Sequence, residues 1–114
     1  MAIAELYSGT EAISTTEHSL TTDTAGPDVD TTDGIFQVFL DVSDMVAGDE
    51  LQIRIYEKAR SGDTQRVVAE WSLFGAQSNP IWVSPALILM HGWDATLDAI
   101  AGTITVLWSI RQVA

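Results

Sequence analysis

An all-β fold, an antiparallel β-sandwich with an extended N-terminal arm, is what this sequence predicts, and three observations carry it. Leu51, Ile53 and Ile55 alternate with Gln52, Arg54 and Tyr56, the period of two of a strand with one buried and one wet face. The same alternation recurs at Phe36 to Val42, Trp93 to Ala99 and Ile104 to Ile110. No long segment has a helical period, and turn residues punctuate the chain at short intervals. Seven or eight short strands at this spacing fit a sandwich, the jelly roll included.

Residues 1–31 read as the polar arm or edge strands, and 32–114 as the sandwich domain. AIAELY can form a short strand before Ser8-Gly9 interrupts it, and Glu11 to Leu20 is Thr- and Ser-rich with sparse apolar residues. Such a stretch suits an edge strand or an arm without a core of its own, held mainly by a neighbouring chain. Thr21 to Asp33 is a polar connection with a turn at Gly26-Pro27. Ile35 to Val42 is apolar on both faces, as in a central or doubly covered strand. Ser43 to Ala47 is expected to hold a helical turn.

Glu50 to Ala59 and Gln65 to Phe74 form a hairpin about Ser61-Gly62-Asp63. A one-residue slip would expose the apolar set, so parity restricts the register. The favoured pairing sets Ile53 opposite Trp71, Ile55 opposite Ala69 and Leu51 opposite Leu73. It also faces Arg54 with Glu70, and at the tip Lys58 with Arg66. Pro85 divides or bends the apolar run Ile81 to His91. Trp93 to Ile100 and Thr103 to Val113 complete the set. Ile53, Ile55, Trp71 and Trp108 are expected in the core, and Asp94, Thr96 and Asp98 on a wet face.

A chain of 114 residues fits one domain, large enough to remove roughly two-thirds of its unfolded surface from water. A 46% hydrophobic content argues against disorder along the whole chain. Cysteine is absent, which excludes disulfides and thiolate metal sites within these residues. MAIAELYSGTE lacks a basic segment and a long apolar run, so no secretory signal is expected. No apolar run is long enough for a membrane helix. The net charge of −11 argues against nucleic acid and anionic membranes as partners.

Charge is unevenly placed. Residues 1–33 carry seven acids, among them Glu5, Glu11 and Glu17, and no Lys or Arg, while Arg54, Lys58, Arg60 and Arg66 cluster in one hairpin. A solvated acidic arm beside a mixed-charge hairpin accounts for this. So does a docking pair, the arm of one subunit against the hairpin of another.

Catalytic spacing is absent. His18 and His91 fit no HExxH or similar pattern, and there is no GxSxG elbow or phosphate-cradling glycine loop. No enzyme activity, cofactor or metal is expected. DVDTTDG offers alternating oxygen ligands before a glycine but misses the calcium-loop spacing by one residue and lacks its closing glutamate. Trp71, Trp93 and Trp108 fall on apolar strand faces, where core packing is the rule. Trp82, between Pro80 and Pro85, is the candidate exposed aromatic, which keeps a carbohydrate-binding sandwich open.

The run DGIFQVFLDVSDMVAGDELQIRIYEKARSGDTQR, with HGWDATLDAIAGT and the closing WSIRQVA, resembles small virion proteins of tailed bacteriophages, of the capsid decoration or cement type. The likeness spans residues 32–113. It implies a non-enzymatic structural protein on the exterior of a phage head, made in the host cytoplasm. The implied partners are the major capsid protein and further copies of the chain, with a trimer suggested by analogy. A head-fibre, tail or connector component is the alternative virion role. Absent cysteine suits assembly in a reducing cytoplasm.

Overall fold

A computed structural model describes residues 2–113. The strands are β1 (Ile3–Ile13), β2 (His18–Ser19), β3 (Thr24–Ala25), β4 (Gly34–Asp41), β5 (Glu50–Glu57), β6 (Arg66–Phe74), β7 (Ile81–Val83), β8 (Leu87–Leu89), β9 (Trp93–Ala101) and β10 (Ile104–Val113). One sheet runs β1-β10-β4-β7, with β8 pairing β4 beyond β7; the other runs β3-β2-β9-β5-β6. All pairs are antiparallel. Successive strands cross between the sheets in the order of a jelly roll.

The core lies where the period-two reading places it. Phe36, Val38, Leu40, Val106 and Ile110 face Leu51, Ile53, Ile55, Trp93 and Leu97, and all are buried. The hairpin pairs Ile53 with Trp71, Ile55 with Ala69 and Arg54 with Glu70, the favoured one of the registers that parity allows. At its tip the register differs from expectation. Val68 forms a bulge, so Arg66 sits opposite Glu57 rather than Lys58. One extra residue thereby replaces a like-charge pair with an opposite-charge pair.

The N-terminal arm differs more. Residues 3–13 form one strand, uninterrupted by Ser8-Gly9, that pairs with β10 along its whole length, with a bulge at Leu6. Ile13 and Leu20 are fully buried in the same chain's core, so these residues do not depend on a neighbour. Gly9 is what permits the close approach: a Cβ there would lie 2.5 Å from the Trp108 indole, closer than packed atoms tolerate. The ladder with β10 thus satisfies a backbone whose side chains are too polar to make a core themselves.

Two further departures have local causes, and Pro85 divides its run as expected. Ser43 to Ala47 makes tight turns, with Met45 N–H on Val42 O and Asp49 N–H on Val46 O, and no helix. Asp94 and Thr96 are buried, because the segment from Glu17 to Asp28 covers their face. Pro85 separates β7 from β8, yet β4 loses no bond there. The Ser84 hydroxyl accepts the Val38 N–H at 2.9 Å, doing what a ladder carbonyl would do.

Candidate functional site

Of the expected docking residues, Arg54 and Glu17 pair inside the chain, Glu5 and Glu11 are placed by the β1 ladder, and Lys58, Arg60 and Arg66 stand in the hairpin tip. On the outer face of β5, Arg54 donates from Nε to Glu70 at 2.9 Å and from Nη1 to Asp98 at 3.2 Å, with Glu17 at 3.5 Å. Gln52 also accepts from it. Glu17 accepts the Tyr56 hydroxyl at 2.6 Å and the Thr96 hydroxyl. The arm-to-hairpin ion pair foreseen between subunits therefore forms within a single chain, because β2 lies beside β9 and carries Glu17 over the sheet. Arg54 and Glu17 are thus engaged with side chains of their own chain.

Burial, then the Glu17 carboxylate, push the Tyr56 hydroxyl up to about 12. A raised folded value means that the fold holds this proton longer than the unfolded chain does. The associated stability is fully present below pH 10.0, the ordinary tyrosine value, and is lost as pH rises through about 12. The denaturation midpoint is expected to fall over that window, and less steeply in Tyr56→Phe. A difference titration by near-ultraviolet absorbance that shows Tyr56 ionising at its ordinary value would contradict this.

Glu11 and Glu5 are also placed by the ladder. Glu11 lies 3.9 Å from His18 Nε2, which is 2.8 Å from Asp23 Oδ1. The His18 ring stands edge-on to Trp108. These three side chains are the one group among the described residues whose ligand atoms gather as a metal site would require. The DVDTTDG carboxylates do not gather. Asp28 accepts from Thr22 and Thr24, and Asp30 from Tyr7 and the Thr32 N–H. Asp94 is held by Thr21, Ala95 N–H and Asp28 N–H, and burial raises its carboxyl above the ordinary aspartate value. Glu5 sits on the outer face of β1, opposite Arg111.

Trp82 is not an exposed platform. It pairs with Leu40, which turns its ring inward, where it stands edge-on to Trp71 with centroids 5.1 Å apart. Trp71 is in turn only half-buried, because β6 is an edge strand and only short β7 faces it. The two rings close the seam between the sheet edges.

The remaining cations are at the β5–β6 tip. Arg60 is 85% exposed and forks onto Asp63 at 3.0 and 3.1 Å. Lys58 donates its backbone N–H to Gly92 O, and its stem lies against Gly92. Among the described residues, neither Lys58 nor Arg66 has a carboxylate within 4.0 Å. Beside them is a concave surface of about 640 Å³ lined by Glu57, Thr64, Arg66, Val67 and Val68. The bulge turns both valines outward, and they are exposed. Sequence reading found the cations here. It missed the valines, since nothing local marks Val68 as the bulged residue.

No protein-family model and no curated protein matches the chain. Solved structures do. PirA aligns with a TM-score of 0.55 at 11% identity, over 94% of each chain. A protein from the Bacillus endospore appendages, described as a family of disulfide-linked pili, aligns at 0.50 and 12% identity, over 98% of this chain and 87% of its own. At such identities the likeness is one of fold, and this chain is an all-β sandwich of the same general architecture.

Proposed function

We propose that this chain is a structural virion protein that binds the outer surface of a bacteriophage head and stabilises the shell, docking through the β5–β6 hairpin tip. The observation that carries the reading is the tip itself. In a chain of charge −11, three of the five basic residues, Lys58, Arg60 and Arg66, lie in this one hairpin, and Arg66 lines a concave surface together with two exposed valines. The resemblance of residues 32–113 to decoration proteins supports it. An acidic patch on the major capsid protein is the complementary partner. The cations would govern encounter and salt dependence, and the valines retention. Copies repeated over a shell turn modest single contacts into firm retention.

Heads assembled with and without the protein are expected to differ in resistance to heat and osmotic shock. Lys58→Glu with Arg66→Glu should lower occupancy on heads at least about tenfold at moderate salt, the scale of one to two charged contacts. Equal resistance with and without the protein, or its location on the tail or inside the shell, sinks the reading.

A further inference from the structure

We infer that the outer face of the β1-β10-β4-β7/β8 sheet is a self-association surface, on which a second copy of this chain packs face to face about a two-fold axis. Strand register builds this face. Ile3, Val113, Ile35 and Ile88 form one row across β1, β10, β4 and β8. Phe39 and Val83 form part of a second, and Leu107 and Ile81 flank Asp41 in a third. Ile88 is 82% exposed and Ile3 69%. A wet sheet face ordinarily turns polar residues outward; here Gln37, Ser109, Ser8 and Thr10 do so, but they share the face with Ile3, Ile35, Phe39, Ile81, Val83, Ile88 and Leu107.

Charge selects the occupant. Two copies at −11 each repel over most of their surfaces. This face turns outward only two of the sixteen acids, Glu5 and Asp41, together with Arg111. Among the described residues Arg111 has no carboxylate within 4.0 Å, and Glu5 and Asp41 have no cation. The Arg111 guanidinium instead lies 3.7 Å over the Phe39 ring centroid. One unpaired cation among two unpaired acids on one face is self-complementary. A two-fold axis lets Arg111 of each copy meet an acid of the other.

Shape and size agree. Hollows of about 190 Å³ each lie on both sides of Arg111, one bordered by Ile3, Ile35 and Ala86, the other by Ile81 and Leu107. They offer recesses to a projecting side chain such as Ile88. Four strand widths by eight residues span about 20 by 26 Å, roughly 500 Å² before side-chain relief is counted. That is near the upper end of the patches monomers leave uncovered, about 300–600 Å². With relief it approaches the roughly 800 Å² per partner of a standard interface.

Sedimentation of the purified full chain over a wide concentration range tests this. A reversible dimer is expected. Ile88→Glu and Leu107→Glu, each counted twice across a two-fold contact, should together raise its Kd at least about 100-fold by burying unpaired charge, with circular dichroism unchanged. Arg111→Ala, which leaves the apolar rows intact, should weaken it less. A wild-type monomer at every concentration, or a dimer indifferent to Ile88→Glu, overturns the inference. So does a monomeric chain whose retention on heads is abolished by Ile88→Glu, because the face then belongs to the shell. A dimer that binds no head leaves self-association standing and defeats the head-binding proposal alone.

Discussion

Trp93→Ala is expected to lower the free energy of unfolding by about 3–5 kcal/mol, the range for removing a fully buried large side chain. Trp93 is 0% exposed. Its ring packs on Phe36 with centroids 4.6 Å apart and meets Tyr7 edge-on. Its indole N–H donates to Thr32 O at 2.7 Å, and its backbone forms a two-way bridge with Asp30. Truncation therefore opens a cavity and also loosens the connection that leads into β4. Trp71→Ala should cost about half as much, since its half-buried ring gives up less area and the seam can relax onto Trp82. Urea denaturation of both variants gives the comparison. Equal losses would mean that the β6–β7 seam is as well packed as the centre of the sandwich.

Arg54→Ala should cost about 2–3 kcal/mol, the second largest single effect. Glu17, Glu70 and Asp98 all face this one guanidinium, and Asp98 Oδ1 is buried without a hydrogen-bond partner. Removing the cation leaves three carboxylates facing one another. Breaking a fully buried pair costs about 3–5 kcal/mol. The Arg54 side chain is 21% exposed, so solvent screens part of this. A double-mutant cycle separates the charge effect from lost packing. Arg54→Ala with Asp98→Asn should be more stable than Arg54→Ala alone. If the second substitution adds to the loss, the network is held by something other than charge.

Both effects bear on the proposed roles. Trp93 and Arg54 fix the sandwich and seat the N-terminal segment, and neither belongs to the outer face of the first sheet. Variants at those two surfaces should therefore change association while leaving stability nearly intact, as exposed substitutions do.

Much of this fold was legible because Cβ atoms alternate along a strand. That rule placed Ile53, Ile55 and Trp108 in the core, grouped Phe36, Val38 and Leu40 on one face, and limited the hairpin to registers that include Ile53 opposite Trp71 and Arg54 opposite Glu70. The distribution of charge located the three cations of the hairpin tip. Alternation could not say which strand lies at an edge, and so it overestimated the burial of Trp71 and turned Trp82 to the wrong side. Nor could it anticipate the bulge at Val68, which depends on how the tip relieves Lys58 and Arg66 as well as on the local sequence.

The sequence by itself determined the class of fold, the inward faces of β5, β9 and β10 and the acidic balance, because these follow from neighbours two residues apart and from composition. The tertiary structure alone decided the fate of the N-terminal segment. Residues 3–13 read as broken strand or arm segments with too few apolar side chains to name a partner, but β10 offers an open ladder edge that satisfies their backbone. The same long-range pairing delivered Glu17 to Arg54 and sealed Asp94 from water. It also aligned Ile3, Val113, Ile35 and Ile88 from four separate strands into one exposed row. Such a row exists only once register across strands is fixed, and no window of sequence contains it.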